Sequence, residues 1–223
     1  MSASINPDII TDGLVLCLDA GNSASYPGSG TVWNDLSGNG NNGTLTNGPT
    51  FSSANKGSIV FDGTNDYVNT TFNSQLNNFT AHVWFKSTVR TNYARLLDKN
   101  YQTGFFMGRP DAVSSNTWSA GVKQSSNFST LSLNDALWNF MAMTRSGTSL
   151  TTYANGIINT NTTTCGSGTI DTTYLSIGAT INDGGGQRDW LNGNISQVLI
   201  YNKVLSTSEI LQNYNATKGR YGL

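Results

Sequence analysis

Short stretches that are apolar, or that alternate apolar with polar residues, recur along the chain between clusters of Asn, Gly, Ser and Thr. Residues 79–86 show the pattern best, because every second side chain falls on one apolar face: Phe79, Ala81, Val83 and Phe85. The other face carries Thr80, His82, Trp84 and Lys86. About a dozen such stretches, spaced roughly 8–15 residues apart, restrict the chain to a β-sandwich or jelly roll.

The predicted strands are residues 14–18, 58–61, 66–69, 79–86, 95–98, 104–108, 118–123, 129–133, 138–145, 150–154, 174–179 and 194–201. The last of them has an unbroken apolar centre, which predicts a strand that is buried on both faces.

One helix is predicted near the C-terminus. Ser206 and Glu209 fit the N-cap and N3 positions of a capping box, and Gly219 is the expected C-terminal stop. The predicted fold class is therefore all-β, a jelly-roll sandwich of two antiparallel sheets with one short C-terminal helix. We expect one domain over residues 12–223, preceded by an N-terminal arm of residues 1–11.

The composition excludes several other classes of protein. Asn, Thr, Ser and Gly supply 105 of the 223 residues and Glu supplies one, so a helical bundle or coiled coil is not expected. A net charge of -1 argues against a nucleic-acid partner. Hydrophobic residues make up 37%, enough for a core, yet no run of them is long enough to predict a membrane span or a secretory signal.

Two cysteines, Cys17 and Cys165, lie far apart in the sequence. Two such residues do not make a disulfide framework, so we expect two free thiols, with a single bridge as the alternative.

The order of several segments resembles the LamG-like, or laminin G type 3, group of concanavalin A-like jelly rolls. These segments are residues 57–68 (GSIVFDGTNDYV), 79–86 (FTAHVWFK), 137–145 (LWNFMAMTR), 153–156 (YANG), 191–202 (LNGNISQVLIYN) and 205–210 (LSTSEI). Both ends, residues 12–22 (DGLVLCLDAGN) and 214–223 (YNATKGRYGL), resemble LamG-like proteins of tailed bacteriophages. The resemblance implies a non-enzymatic structural protein of the virion, which composition alone does not show.

A virion protein of this kind would be assembled in the host cytoplasm, with the major capsid protein or other virion proteins as partners. The predicted domain begins within a dozen residues of Met1 and runs to Leu223, so we expect a capsid decoration or cement protein on the outer capsid surface. A tail fibre or receptor-binding adhesin is the first alternative, and a cellular lectin-like adhesin the second. Host-surface carbohydrate and a second copy of the chain are further candidate partners; nucleic acid and membrane are not expected.

A glycoside hydrolase is the least favoured function. Glucanases of the superfamily that this chain resembles carry a Glu-x-Asp-x-x-Glu motif on a strand. A chain whose sole glutamate is Glu209 cannot build that motif. No two aspartates pair at i,i+2 or i,i+4 on a predicted strand, and His82 in mid-strand is interpreted as a packed histidine rather than a catalytic base. No catalytic residue is predicted.

Calcium is the one cofactor that the sequence suggests, because carboxylate, amide and carbonyl oxygens abound. Related LamG domains often hold calcium at the rim of the sandwich, and the best candidate ligands here are Asp62, Asn65 and Asp66. Two further candidate pairs are Asp19 with Asn22, and Asp183 with Asp189. The alternative is that these residues only build Asx turns.

A glycan site would need aromatic rings beside polar groups on loops. The candidates are Tyr101, Phe105, Trp118, Arg188 and Trp190, several of which lie near the glycine-rich segment 184–189. An aromatic ring in a sandwich lies in the core more often than on a binding surface, so burial in the core is the alternative for each ring.

Overall fold

A computed structural model of the protein describes residues 8–87, 89, 91–110, 116–123, 129–159, 162–181 and 184–223. In these residues two antiparallel β-sheets pack face to face, and one short α-helix follows the last strand. The structure therefore confirms the predicted all-β sandwich with a C-terminal helix.

The strands of the described residues are, in chain order, β1 (Leu14–Asp19), β2 (Val32–Trp33), β3 (Gly43–Thr46), β4 (Thr50–Ser52), β5 (Ser58–Asp62), β6 (Tyr67–Thr70), β7 (Phe79–Ser87), β8 (Arg95–Lys99), β9 (Phe105–Gly108), β10 (Thr117–Val122), β11 (Ser129–Ser132), β12 (Asn139–Ser146), β13 (Ser149–Ala154), β14 (Ile157–Ile158), β15 (Thr163–Thr164), β16 (Ser176–Ile177) and β17 (Asn192–Tyr201). The helix α1 spans Thr207–Thr217, and short 3-10 helices lie at Ala54–Lys56 and Lys218–Tyr221.

Sheet A is built around β17. Its strand order is β14-β13-β12-β7-β17-β5-β4, with β1 also paired to β17 and β15 to β13. On one side β17 pairs with β7, and on the other side it pairs first with β5 and then with β1. The register against β7 shifts at Ser196, which is also where β17 passes from β5 to β1. The prediction that this strand is buried on both faces is confirmed, because its residues from Ile195 to Tyr201 are all buried.

Sheet B has the strand order β11-β10-β9-β8-β16-β6-β3-β2. Alternate side chains face the core between the sheets, among them Val68, Leu97, Met107 and Ala120. Because side chains alternate along a strand, the neighbours of these residues point to the outer face. That outer face includes Tyr67, Asp98, Phe106 and Ser119.

The alternation predicted for β7 is confirmed, but its polar face is not in solvent. Ala81 and Val83 belong to the core between the sheets, whereas Trp84 belongs to a second buried cluster on the outer face of sheet A. His82 is buried against rings of that cluster. The helix and the 3-10 helix after it cover this cluster: the Trp84 ring stacks 4.2 Å from that of Tyr221. The Trp84 Nε1 donates to the hydroxyl of Thr217 at 2.7 Å.

The predicted capping box is confirmed. The Ser206 side chain accepts the Glu209 N–H, and a Glu209 carboxylate oxygen accepts the Ser206 N–H at 2.7 Å. The predicted stop at Gly219 was wrong, because α1 ends at Thr217 and continues as a 3-10 helix. The left-handed residue that closes this segment is Gly222, with φ 74°.

Four residues of the predicted N-terminal arm, 8–11, lie within the described chain and contact the domain. The Ile10 N–H donates to the Asn213 side chain on α1 at 2.8 Å, and the Tyr201 hydroxyl donates to the Ile10 carbonyl.

Cys17 and Cys165 are buried free thiols, as the sequence predicted. Among the described residues, no helix is long and apolar enough to cross a bilayer.

Candidate functional site

The outer face of sheet B carries a pocket with a volume of about 580 Å³, which we call the sheet B pocket. Its lining residues are Tyr93, Arg95, Tyr101, Phe106, Arg109, Pro110, Ser119, Arg188 and Asp189. Strands β8, β9 and β10 supply the floor, and the walls come from the segments next to β8 and β9 and from the segment between β16 and β17. The volume lies in the range of small-molecule sites, roughly 300–1,000 Å³.

Arg95 belongs to the pocket floor, and its guanidinium lies over an aromatic ring. Its guanidinium carbon is 4.5 Å from the centroid of Phe106 and 5.9 Å from that of Tyr101. Phe106 points outward because its neighbours Phe105 and Met107 face the core. The pocket thus combines an apolar base with a cation held over it, an arrangement stabilised by the ring quadrupole.

Hydrogen bonds and ion pairs fix the Arg95 side chain further. Its Nε lies 3.3 Å from the carboxylate of Asp98, and one terminal nitrogen donates to the Tyr93 carbonyl at 2.9 Å and the Arg109 carbonyl at 3.2 Å. The other terminal nitrogen is 3.8 Å from the Asp189 carboxylate. With this many partners the guanidinium is positioned before any ligand arrives.

Asp189 forms one wall and has an unusual backbone. Its φ of 61° lies in the left-handed region, which residues other than glycine adopt rarely and at a cost. The carboxylate accepts the Thr180 hydroxyl at 3.1 Å and lies 3.7 Å from the Arg188 Nε. Backbone strain of this kind clusters at binding and catalytic sites, so it marks Asp189 as a candidate functional residue.

Arg109 lines the pocket and is supported by Trp118 beneath it, which is not a lining residue. The Arg109 guanidinium lies 4.4 Å from the Trp118 ring centroid and forms an ion pair with Asp135. The Trp118 Nε1 donates to the same Asp135 carboxylate at 3.1 Å. Trp118 is fully buried and contacts Phe85 of the core, so its ring supports Arg109 rather than facing a ligand.

The structure places the other predicted glycan residues as follows. Tyr101 and Arg188 line the pocket, while Trp190 lies beside it with its ring 6.2 Å from that of Tyr67. Phe105 is fully buried in the core, 4.9 Å from Phe79.

Sequence reasoning missed Tyr93, Arg95, Phe106, Arg109, Pro110 and Ser119. A usable signal for Arg95 was present: β8 carries three charged residues, Arg95, Asp98 and Lys99, beside only two leucines, which indicates that one face of this strand is polar. The lining residues and their direct partners contribute three arginines, balanced by three aspartates: Asp98, Asp135 and Asp189. The site therefore has no excess of either charge.

The first predicted calcium cluster forms a tight turn between β5 and β6. The Asp62 carboxylate accepts the N–H groups of Thr64 and Asn65, and the Asp66 carboxylate accepts the Asp62 N–H at 3.0 Å. Burial raises the pKa of Asp66. These contacts are the ones that an Asx turn makes. Calcium binding by Asp62, Asn65 and Asp66 stays a prediction.

The described residues of the two other predicted calcium pairs have protein partners of their own. Both carboxylate oxygens of Asp19 are held by Arg220, at 2.6 and 2.7 Å, and Asn22 accepts the N–H of Ala24. Asp189 lies in the sheet B pocket, and Asp183 lies outside the described residues. Within the described part of the chain no three His, Cys, Asp or Glu residues group as a metal cluster would.

Comparison with known proteins gives one family and a set of similar folds. Residues 62–211 match Laminin_G_3, the Concanavalin A-like lectin/glucanases superfamily. No curated protein sequence matches the chain.

Three solved structures illustrate the similarity of fold. The binding domain of botulinum neurotoxin DC in complex with SialylT aligns with a TM-score of 0.71 at 14% identity, over 93% of this chain and 52% of that one. A structure of botulinum neurotoxin type C, whose cell entry depends on interaction with two ganglioside molecules, gives 0.70 at 16% identity, over 93% and 52%. Domain 4 of a GH43 extracellular arabinanase from Geobacillus stearothermophilus, in complex with arabinotriose, gives 0.65 at 16% identity, over 90% and 98%.

The chain spans about half the length of the neurotoxin structures that it matches, and at these identities the likeness concerns the fold. The family match extends over more than half of the chain, from the last residue of β5 into α1. The protein therefore belongs to the Laminin_G_3 family of the concanavalin A-like lectin/glucanases superfamily.

Proposed function

We propose that the protein is a non-enzymatic carbohydrate-binding module and that the sheet B pocket is its sugar site. The observation that carries the proposal is a pocket of about 580 Å³ in which aromatic rings stand beside fixed charged groups. A sugar ring has apolar C–H faces that pack on aromatic rings and hydroxyl groups that both donate and accept hydrogen bonds. The pocket offers both kinds of partner.

The side chains divide into two roles. Tyr93 and Tyr101 supply rings at the wall, where they can lie against a sugar face. Arg188 supplies donors and Asp189 supplies acceptors to hydroxyl groups. Since Asp189 is already held by Thr180 and the arginines, little ordering is required on binding, which favours affinity.

The comparisons support the ligand class. A neurotoxin binding domain of this fold was solved with SialylT, and an arabinanase domain of this fold was solved with arabinotriose. Those ligands belong to those proteins, and at 14–16% identity they name no sugar for this chain.

The carboxylates of the site favour binding over hydrolysis. Glycoside hydrolysis uses two carboxyl groups on either side of the bond to be cleaved. Among the described lining residues Asp189 is the one carboxylate, since Asp98 is fully buried beneath Arg95. The single glutamate, Glu209, caps α1 on the other side of the sandwich.

For the biological setting we propose the outer capsid of a tailed bacteriophage, with the module as a decoration or cement protein assembled in the host cytoplasm. The support is the resemblance of residues 12–22 and 214–223 to LamG-like phage proteins. Electron cryomicroscopy of purified virions tests it through the location and copy number of the domain. Density confined to a tail tip would instead favour the tail fibre or receptor-binding adhesin.

Sugar binding is tested on the full chain with a glycan array, followed by calorimetric titration of the best ligand. We expect Tyr101→Ala and Arg188→Ala each to weaken binding by about tenfold or more, equivalent to about 1.4 kcal/mol. Leu211→Ala is the matched control, because Leu211 is an exposed apolar residue on α1, across the sandwich from the pocket. A folded protein that binds no glycan, or one whose binding ignores both pocket variants, would overturn the proposal.

A further inference from the structure

Trp190 and Tyr67 form a second pair of aromatic rings beside the sheet B pocket, here called the Trp190–Tyr67 pair. Their ring centroids are 6.2 Å apart with an interplanar angle of 35°, and both side chains are partly exposed. Tyr67 belongs to β6 and points to the outer face of sheet B, because its neighbour Val68 faces the core. The Gln187 side chain, which is exposed, donates to the Tyr67 hydroxyl at 3.4 Å.

One short segment joins the pair to the pocket. Arg188 and Asp189 line the pocket, and Trp190 is the next residue along the chain. The segment is fixed on both sides, since Arg188 exchanges two backbone hydrogen bonds with Thr180, at 2.9 and 3.0 Å, and the Thr91 hydroxyl donates to the Trp190 carbonyl at 2.9 Å. The pocket wall and the second ring pair are therefore parts of one rigid surface.

Asp189, the residue with the left-handed backbone, lies between the sheet B pocket and the Trp190–Tyr67 pair. Asp189, with φ 61°, directs its carboxylate toward Arg95 and Thr180 in the pocket, while the next side chain lies against Tyr67. The Asp189 carboxylate therefore serves the pocket, and the adjacent indole ring serves the Trp190–Tyr67 pair.

The charges along this surface point to a neutral ligand. In the pocket Arg95 pairs with Asp98 and Asp189, and Arg188 lies beside Asp189. Trp190, Tyr67 and Gln187 carry no charge. An acidic sugar would need an excess of cationic groups, which the described residues of this surface do not supply.

We propose that the sheet B pocket and the Trp190–Tyr67 pair are two adjacent subsites for an uncharged oligosaccharide, whose chain crosses the segment at Asp189. This inference rests on the proposed carbohydrate-binding function and adds to it the length and charge of the ligand. One sugar unit occupies the pocket, and the next stacks on the Trp190–Tyr67 pair with Gln187 as a hydrogen-bonding partner. Stacking of a second unit makes affinity depend on chain length.

The test is calorimetric titration of the full chain with cello-, malto-, xylo- and arabino-saccharides of one to four units, and with sialyllactose as the acidic probe. For the series that binds, we expect affinity to rise about tenfold from one unit to two or three. Trp190→Ala abolishes this rise and leaves the affinity for one unit within about twofold, whereas Tyr101→Ala weakens every length. Trp190→Phe retains a ring and preserves most of the rise, which separates loss of stacking from loss of folding.

The outcomes distinguish this inference from the function on which it rests. Binding that depends on Tyr101 but is equal for one unit and for longer chains overturns the second subsite and leaves the pocket intact. Preference for sialyllactose that weakens steeply with salt overturns the neutral ligand. Absence of binding to every saccharide, with native circular dichroism, overturns both proposals.

Discussion

Sheet A and sheet B both carry aromatic and charged side chains on their outer faces, and the C-terminal helix lies over sheet A. Beneath the helix, Trp84 stacks on Tyr221 and Tyr214. The apolar side chains on this face of sheet A form a buried cluster. On sheet B no helix of the described residues covers the strands, and Tyr101 and Trp190 stay partly exposed around a pocket. Residue type therefore does not distinguish structural rings from candidate binding rings in this protein; what distinguishes them is whether another element covers them.

Loss of the covered ring of Trp84 should destabilise the protein more than loss of the partly exposed ring of Trp190. Trp84→Ala removes a fully buried ring and its hydrogen bond to Thr217, so we expect the free energy of unfolding to fall by about 3–5 kcal/mol. Trp190→Ala removes a partly exposed ring, and its loss should be less than half as large. Urea denaturation followed by circular dichroism measures both, and equal losses would contradict the distinction between the faces.

The covered face should also respond to acid through His82. Burial lowers the pKa of His82 to about 3, and its ring packs 4.8 Å from that of Phe140. Between that value and the unfolded pKa near 6.5, the unfolded chain binds a proton that the folded chain does not. The free energy of unfolding is therefore not reduced by His82 above pH 6.5. As the pH drops from 6.5 toward 3, the titration of His82 lowers it by up to about 1.4 kcal/mol per pH unit.

The measurement compares the free energy of unfolding of the wild type and His82→Phe between pH 4 and pH 8. The variant lacks the titrating group, so the difference between the two proteins should be constant above pH 7 and change with pH below it. Parallel profiles across the whole range would show that His82 is not buried in its neutral form.

A smaller loss of stability is expected at the N-terminus of α1. Ser206→Ala removes the N-cap acceptor of α1, and we expect a loss of about 1 kcal/mol. Thr207→Ala is the matched control, because Thr207 is an exposed residue in the same turn, and its change should stay within about 0.5 kcal/mol. A loss as large for Thr207→Ala as for Ser206→Ala would contradict a specific role of the cap, because alanine is the better helix former at position 207.

The smallest change in stability is expected at the open face. Tyr101→Ala should alter the free energy of unfolding by no more than about 0.5 kcal/mol, since Tyr101 lies at the partly exposed wall of the pocket. The same variant is the one expected to weaken sugar binding. A large loss of stability would place Tyr101 among the structural rings and remove the contrast between the two faces.

Local signals in the sequence predict most of the fold. The alternation of β7, the apolar centre of β17 and the Ser206–Glu209 cap depend on neighbouring residues, and the structure confirms all three. The two-residue strands β2 and β14 have too few positions to show a period and were not predicted, whereas β16 lies within the predicted strand 174–179. Gly219 was predicted to end the helix because a glycine often does, but packing of Tyr221 on Trp84 extends the segment to Gly222.

The site was predictable only in part, because it depends on which side of a sheet each residue faces and on what lies above it. Tyr101 and Arg188 are on loops and were named from the sequence. Arg95 and Phe106 belong to strands whose outward direction is set by pairing across β8 and β9. Trp118 looks equivalent to Trp190 in the sequence, yet the register of β10 turns its ring toward the core.

The central position of β17 has a consequence for how the chain folds. β17 pairs with β1, β5 and β7, so Leu14 meets Tyr201 and Ile59 meets Ile195. During synthesis those three partners leave the ribosome long before β17 does, and sheet A cannot close until Tyr201 has emerged. Contacts between such distant parts of a chain make folding slow, on the order of milliseconds to seconds for sandwiches of this kind. Sheet A is consequently completed in a late step, with its earlier strands waiting for the strand that joins them.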